Sequence, residues 1–500
     1  MIIGIDLGTT YSVASYMDSN DLPQIITNSE GEEMTPSVVY VDGDDVVVGT
    51  MAKQKGMRFP DKVCRCVKMN MGNRQVVMKD DEYEYSPEVI SAMIVKRIIN
   101  DAERRLGEAV DGVVVTIPTY FDDTKRTATK NAIECLEVPL IGMIDEPKAA
   151  GICYCYQNAM EEGKILIYDF GGGTFDTTLL EVKQGEIEII AEGGEHEAGG
   201  AYFDEAIRDY VMEQVLELYQ INLKEEKYST IREEILNDAE VCKKQLSIME
   251  ESSILVRCPE GAMEITLTRE IFNELIDTMV YRTISVIEEM LEEKNLTSDA
   301  VDKVLLVGGS SQIPYVREQL YELFDKESSE KIDPGRAVAY GAAIYGDMIK
   351  DEMQHKLILS DVCAHGIGVV RYDESDHSKK INDVLIEPNT PIPATVEKEY
   401  GLMKDGQRVI NLILTEGEFA DVESVHIISN LKIELPQHEK LKAGTTVGVQ
   451  LRVNRNHMIE VYLNIPEIGL HQEHRIVRND NMTDEQYKEM ASLLKTKNIR

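Results

Sequence analysis

Two segments of the sequence repeat one plan that suits phosphate and metal chemistry. In residues 3–10 and 167–176, an apolar strand leads to an aspartate and then to a turn of glycine and threonine. Glycines let backbone N–H groups approach an anion closely, and aspartate supplies the oxygen ligands that Mg²⁺ prefers. Either turn alone also suits an ordinary tight hairpin. The matched pair predicts two similar lobes that hold a polyphosphate and its metal between them.

A third glycine segment points the same way. Residues 304–314 run from an apolar strand through Gly308, Gly309 and Ser310 into a predicted helix with Pro314 in its first turns. A glycine turn at a helix N-terminus suits a ribose or a phosphate, although an ordinary strand–helix turn has the same pattern. The sequence contains neither a Walker A motif nor a dinucleotide-binding glycine motif.

The elements that must position these turns change character along the chain. Residues 1 to about 355 alternate β-branched apolar runs with helical patterns, which predicts a mixed α/β fold. Ser86 and Pro87 mark the start of a long helix that runs toward Gly107. Residues 447–453 and 459–465 alternate apolar and polar side chains, which predicts a hairpin in an all-β domain. A capping box at residues 483–486 predicts one short C-terminal helix.

Composition excludes several classes of protein. The 500 residues carry a formal net charge of −38, so we expect no binding to nucleic acid or to an anionic membrane through the overall field. No apolar run is long enough to span a bilayer, and no secretion signal is expected. Eight dispersed cysteines without a C-x-x-C pair predict reduced thiols in a cytoplasmic protein.

Seven segments in the same order resemble the DnaK-type chaperones of the heat-shock protein 70 family: 3–12, 113–132, 145–150, 168–176, 194–204, 307–314 and 337–343. The resemblance implies a two-lobed, actin-like (ribonuclease H-like) ATPase domain in residues 1–355 and an apolar linker in 356–361. It also implies an antiparallel β-sandwich that binds peptide in 362–478 and a remnant of the first lid helix in 479–500. The implied activity is ATP hydrolysis, which controls the binding of extended apolar segments of unfolded polypeptides. The implied cofactors are ATP/ADP, Mg²⁺ and K⁺.

The resemblance assigns roles residue by residue. Nucleotide contacts fall on Gly8, Thr9, Thr10, Tyr11, Gly172, Gly173, Thr174, Gly199, Gly200, Glu240, Lys243, Lys244, Ser247, Gly308, Gly309, Ser310 and Gln312. The catalytic residues are Lys68, Glu146, Asp176 and Thr174, whereas Asp6 and Asp169 orient the waters of the metal. Pro118 is the switch that relays the state of the nucleotide between the lobes.

Further assignments concern the linker and the β domain. Leu357, Ile358, Leu359 and Asp361 resemble the linker that docks on the ATPase domain in one nucleotide state. The peptide pocket is assigned to Val369, Ile410 and Leu412, with Tyr372 and Met403 arching over the peptide. Each of these five residues also suits an ordinary core position.

The chain departs from the family pattern at four positions. Gln312 replaces the arginine that lies against adenine, Gly335 replaces an acidic residue, and Lys148 replaces a threonine. Gly142 replaces an arginine that contacts J-domain co-chaperones, so this position does not imply that partner; a nucleotide exchange factor is a possible partner. Two other functions stay open on the residues alone: a small-molecule kinase of the same fold, and a nucleotide-sensing scaffold without hydrolysis.

Overall fold

The structure is a computed structural model of the chain. It describes residues 1–73, 75–80, 83–119, 121–158, 162–183, 186–329, 332–350, 358–363, 365–373, 379–436, 441–453, 459–475 and 484–500. Leu357, the residues between the two strands of the predicted hairpin (454–458) and Thr483, the first residue of the predicted capping box, lie outside these ranges.

The first lobe contains a main sheet, an outer sheet and a small two-stranded sheet, together with α-helices. In chain order its elements are β1 (Ile2–Asp6), β2 (Tyr11–Met17), β3 (Pro23–Ile26), β4 (Thr35–Pro36), β5 (Val38–Asp42), β6 (Asp45–Val48), α1 (Thr50–Gly56), β7 (Val63–Arg65), β8 (Met78–Lys79), β9 (Glu84–Tyr85), α2 (Pro87–Leu106), β10 (Gly112–Ile117), α3 (Asp123–Glu134) and β11 (Leu140–Asp145). The main sheet has the order β11-β10-β1-β2-β3, with β1 parallel to β10 and antiparallel to β2. The outer sheet contains β5, β6 and β7.

The second lobe repeats the plan of the main sheet. Its elements are α4 (Glu146–Gln157), β12 (Gly163–Phe170), β13 (Phe175–Lys183), β14 (Glu186–Glu195), α5 (Gly200–Tyr219), α6 (Ser229–Leu246), β15 (Glu251–Cys258), β16 (Gly261–Thr268), α7 (Arg269–Glu293), β17 (Lys303–Val307), α8 (Pro314–Phe324) and α9 (Ala337–Lys350). Here β12 is antiparallel to β13 and parallel to β17, as β1 is to β2 and β10. Each lobe therefore presents one strand–turn–strand unit at the same edge of its sheet.

Helices α4 and α9 join the lobes by crossing between the two main sheets. Their buried side chains form one apolar cluster with residues of both sheets. The crossing is close because Gly341 of α9 lies directly against the backbone of Ala149 in α4, where a Cβ atom would come within 1.8 Å of the carbonyl oxygen. Glycine at this point allows the backbones to touch.

The C-terminal part is a β-sandwich followed by one helix. Its elements are β18 (Ile358–Val362), β19 (Ile367–Tyr372), β20 (Lys380–Ile386), β21 (Pro391–Ile392), β22 (Ala394–Gly401), β23 (Val409–Glu416), β24 (His426–Glu434), β25 (Thr446–Val453), β26 (Ile459–Ile465), β27 (Leu470–Arg475), α10 (Asp484–Thr496) and β28 (Asn498–Ile499). Two antiparallel sheets, β20-β19-β23-β24 and β22-β25-β26-β27, enclose one apolar core.

Two connections hold this part against the two lobes. Strand β18 pairs in parallel with β14 of the second lobe and antiparallel with β21 of the sandwich. Helix α10 packs on the first lobe, and β28 extends its outer sheet by pairing with β6. The predicted linker residues 358–361 thus form a strand within a sheet that both domains share.

Several local predictions are confirmed and one is wrong. Helix α2 begins at Pro87 with Ser86 accepting a hydrogen bond from Val89 N, and it ends at Gly107 with a positive φ of 72°. Strands β25 and β26 pair as the predicted hairpin. The Gly308 turn does not lead directly into an α-helix, because a 3-10 turn at residues Ser310–Gln312 precedes α8.

Among the described residues, no helix is long and apolar enough to cross a bilayer. All eight cysteines are free thiols.

Candidate nucleotide site

The two glycine–threonine turns lie against each other between the lobes. A Cβ atom on Gly172 would come within 2.6 Å of Thr10 Oγ1, and one on Gly173 within 2.8 Å of Thr9 Oγ1. Real side chains do not approach so closely, so glycine is required for the turns to meet. The β1–β2 turn and the β12–β13 turn therefore face the same cleft from opposite sides, as the sequence predicts.

The other predicted glycines lie around the β12–β13 turn. Ala201 N, at the start of α5 next to Gly199 and Gly200, donates to Gly172 O at 2.7 Å. Ser310 Oγ donates to Gly171 O at 2.7 Å. Gly308 has φ +78° and lies so near Asp169 that a Cβ would come within 2.8 Å of its Oδ1 atom. Three loops of the second lobe thus converge at one end of the sheet.

The predicted catalytic residues form a buried cluster beside these turns. Lys68, on a 3-10 turn of the first lobe, donates to Glu146 at the start of α4. Asp6 accepts from Thr116 Oγ1 at 3.4 Å, and its pKa is raised to about 7 by burial and by the charge of Glu146, against the opposing charge of Lys68. The lobes thus place a cation and carboxylates of different elements close together.

The same cluster has the donor set of a hydrated divalent cation. Burial raises the pKa of Asp169 well above its usual range, and the charges of Glu146, Asp176 and Asp6 raise it further. Lys68 is the cation that lowers the pKa of both Asp6 and Asp169. One lysine therefore faces four carboxylates, so negative charge is in excess in this cluster. Mg²⁺ would relieve this excess. Among the described residues, no group of three or more His, Cys, Asp or Glu side chains is arranged to hold a metal ion directly.

The face of α6 that is predicted to bind the nucleoside is tied to the first lobe by hydrogen bonds. Glu240 accepts from Tyr11 Oη at 2.8 Å, from Lys244 at 2.7 Å and from Lys53. Burial opposes ionisation of Glu240, but the hydrogen bonds from Lys244 and Lys53 lower its pKa to about 2. Lys243 pairs with Asp204 at 2.7 Å. The contacts of Glu240 with Tyr11 and Lys53 bridge the two lobes across the cleft.

A cavity of about 370 Å³ lies at this bridge and is lined by Thr9, Tyr11, Lys53, Asp204 and Glu240, among others. Ser247, the last predicted residue of this face, caps α6 and hydrogen-bonds to Lys243 O at 3.4 Å. The cleft therefore has the two glycine–threonine turns, an acidic cluster with one lysine, and a polar helix face in one continuous arrangement.

Comparison with known proteins decides the family. The model of the family described as Hsp70 protein matches residues 2–498. The chain belongs to the Hsp70 family. Proteins named chaperone protein DnaK, from Thermotoga petrophila, Thermotoga sp. strain RQ2 and Thermotoga maritima, are each 34% identical over 432 residues. The matches cover 83% of this chain and 70% of each relative.

Family membership settles the broad function. This Hsp70 is an ATP-dependent molecular chaperone with an actin-like ATPase domain and a β-sandwich, and its cofactors are ATP/ADP and Mg²⁺. Its clients are unfolded polypeptides. Neither the comparisons nor the described residues favour the small-molecule kinase or the nucleotide-sensing scaffold.

Gln312 stands where the family resemblance places an arginine against adenine, and its side chain contacts another guanidinium. Gln312 Oε1 accepts from Arg317 of α8, and Gln312 Nε2 donates to Ser311 Oγ at 3.1 Å. Both side chains line a cavity of about 480 Å³ together with Asp333 and Pro334. The sequence reading missed Arg317, whose only signal is its position five residues beyond Gln312.

A buried ionic network was also missed. Lys148, the departure noted above, contacts Asp145 at 2.5 Å and Glu192 at 3.2 Å. Asp145 also pairs with Arg126 of α3 at 2.8 Å. Glu192 N donates to Asn389 Oδ1 of the β domain at 2.9 Å. The signal in the sequence was the lysine that stands where the family has a threonine, but nothing there identified its partners.

Pro118 and Gly142 lie near this network. Pro118 follows β10, and Arg126 donates to the carbonyl of the next residue, Thr119, at 3.1 Å. Gly142 is in β11, where a Cβ would meet Ile349 of α9 at 3.1 Å. The switch role of Pro118 stays a prediction, supported by its position beside the arginine.

The predicted peptide-pocket residues fall into two groups. Val369 and Leu412 are buried in the core of the sandwich, and Ile410 packs against it. Tyr372 and Met403 are exposed, at 40% and 56%. The exposed pair is available to contact a peptide, whereas the buried pair also has an ordinary structural role, so the assignments stay predictions.

The described part of the linker is docked. Ile187 of β14 pairs with Leu359, and Glu188 pairs with Ser360. Asp361 pairs with Ile392 of β21 in the sandwich. Ile358 pairs with Glu186, while Leu357 lies outside the described residues.

Proposed function

We propose that ATP binding and hydrolysis in the cleft change the affinity of the β domain for extended apolar peptides, and that β18 transmits the change. The observation that carries this proposal is the shared sheet, in which β18 joins β14 of the second lobe to β21 of the sandwich. A strand with partners in both domains depends on the geometry of both. Any rotation of the second lobe on nucleotide binding thus acts on the sandwich.

The proposed catalytic roles follow from the cluster in the cleft. Bound at Asp6 and Asp169, Mg²⁺ would supply charge neutralisation of the triphosphate. Lys68 donates to the γ-phosphate and stabilises the charge that develops there. Glu146 and Asp176 hold the attacking water and accept its proton, and Thr174 supplies a hydroxyl donor at the phosphates.

The nucleotide contacts are proposed on the same basis. Thr9, Thr10, Tyr11 and the glycines of the second turn hold the phosphates, while α6 and the Gly308–Gln312 loop hold the nucleoside. K⁺ at the phosphates, an exchange factor and a cytoplasmic location are proposed from the family resemblance alone. We propose no J-domain contact at position 142, because glycine offers no side chain for it.

The test measures release of a labelled apolar peptide with and without Mg·ATP. We expect ATP to accelerate release in the wild type and peptide to stimulate ATP turnover. In Leu359→Pro the backbone donor of residue 359 is lost, which weakens the pairing of β18, so acceleration should disappear. Leu359→Val keeps the donor and an apolar side chain and serves as the matched control. Equal acceleration in wild type and Leu359→Pro would remove β18 from the pathway, and phosphorylation of a sugar would instead favour the kinase.

A further inference from the structure

The C-terminal segment, residues 484–500, binds the outer sheet of the first lobe through backbone and side chains. Asn498 N donates to Asp44 O at 2.8 Å, and Arg500 N donates to Val46 O at 3.0 Å. In return, Val48 N donates to Arg500 O at 2.9 Å. Met490 and Leu494 of α10 are buried in the apolar core of the first lobe. The segment therefore adds both a strand and an apolar helix face to this lobe.

One lysine of the segment enters a cage on the lobe. The side chain of Lys497 is 1% exposed, and its ammonium donates to Gly43 O at 2.8 Å. The ammonium lies 4.5 Å from the centroid of the Tyr83 ring and 5.7 Å from that of Tyr85. Asp44 and Asp80 carboxylates lie at 3.7 and 3.9 Å. Aromatic faces and carboxylates together are the surroundings that recognise an alkylammonium.

The cage is held together by contacts within the first lobe. Tyr85 Oη donates to Asp80 Oδ2 at 2.6 Å, and Tyr83 N donates to Asp80 Oδ1 at 2.7 Å. The strands β8 and β9 pair, which places Tyr85 beside the carboxylate, and Tyr83 directly precedes β9. Burying an ammonium costs free energy unless it is paired and hydrogen-bonded, and here the lobe supplies both before Lys497 arrives.

We propose that the first lobe carries a lysine-binding site whose ligand is Lys497, presented by an extended strand that is added to β6. Strand addition supplies affinity through backbone hydrogen bonds, and the cage supplies specificity for a lysine side chain. Helix α10 follows the last strand of the sandwich in the chain. Lys497 thereby latches the β domain to the first lobe, as β18 holds it to the second.

The test is hydrogen exchange of the full chain at the amides of Val48, Asn498 and Arg500. Lys497→Met keeps most of the apolar stem and removes the charge, so we expect exchange at these amides to be at least about tenfold faster. Tyr83→Leu removes an exposed ring of the cage and should have the same effect. Lys495→Met is the matched control, because Lys495 pairs at the surface with Glu137 and is 62% exposed.

Two results would overturn the proposal. Hydrogen exchange at the wild-type rate in both Lys497→Met and Tyr83→Leu would show that the cage does not stabilise docking of the C-terminal segment. Protection that increases with protein concentration would show that a second copy supplies the strand. A fluorescence measurement gives an independent answer, because the chain contains no tryptophan. In the Tyr83→Trp variant, tryptophan emission should change when Lys497→Met is added and should stay the same when Lys495→Met is added. Emission that is unchanged by Lys497→Met would contradict the latch.

Discussion

At the scale of single residues, the cleft depends on charges that are buried close together. Asp6, Asp169, Glu146 and Asp176 come from four different elements, and Lys68 is the cation that opposes them. Lys68 is buried beside Glu146, and a triphosphate bound there would add more negative charge. The lysine would balance part of that charge. Its proposed task is therefore electrostatic, since no bond to it needs to form or break.

Replacing Lys68 with alanine tests this task. We expect ATP binding to change little, because the turns and α6 remain, and single-turnover hydrolysis to fall by about 10²–10³-fold. The measurement is the rate of phosphate release from preformed enzyme·ATP complex. Lys79→Ala, at an exposed position of the same lobe, is the control. Hydrolysis at the wild-type rate in Lys68→Ala would exclude the lysine from catalysis.

At the scale of elements, the lobes depend on close approach of backbones. Gly341 allows α9 to contact α4, and Gly4 allows α9 to contact β1. One of the helices that cross there begins at Glu146, which we propose as a catalytic residue. A separation of the helices would therefore move this glutamate relative to Lys68 in the other lobe.

Gly341→Ala should destabilise the ATPase domain. Its Cβ would lie 1.8 Å from Ala149 O, so the helices must separate, at a cost of about 3 kcal/mol. Chemical unfolding followed by circular dichroism measures this change. At Gly335 the nearest atom to a new Cβ is 3.5 Å away, so Gly335→Ala should leave the free energy of unfolding within about 0.5 kcal/mol. Equal stability of the two variants would contradict the argument.

At the scale of the whole molecule, the ATPase lobes and the sandwich meet over polar and titratable groups. Glu416 of β23 lies near Asp122, Arg126 and Glu418. Burial raises its pKa to about 8, with the charge of Asp122 adding to the shift and that of Arg126 opposing it. His365 has the opposite behaviour, because burial lowers its pKa to about 4. Docking of the two domains therefore favours uptake of a proton by Glu416 and release of a proton by His365.

Glu416→Gln should make docking less sensitive to pH. An exposed glutamate has a pKa near 4.5, so docking takes up a proton between about pH 4.5 and pH 8 and weakens as the pH rises through that range. Glutamine resembles the protonated form, so the variant should dock more tightly than the wild type at pH 8 and equally at pH 4.5. Hydrogen exchange of residues 358–362, compared with Glu423→Gln at each pH, measures docking. Tighter docking of the wild type at pH 8 would contradict this assignment.

The sequence by itself determined the features that are local or repeated. The two glycine–threonine turns, the ends of α2 and the alternating strands of the sandwich follow from residue types at short spacing, because turns, caps and strand faces depend on neighbouring residues. The paired turns also predicted that two strands would bring their aspartates to one cleft. Family resemblance then extended that reading to Lys68 and α6.

Only the tertiary structure decided which distant groups meet. Lys148 with Glu192, Glu192 with Asn389, and Lys497 with Tyr83 join residues that are 44 or more positions apart and follow no period in the sequence. Buried charges select their partners by geometry after the chain has folded, because only desolvation makes the pairing strong. For that reason the cleft could be predicted from its turns, whereas the contacts that tie the domains together could not.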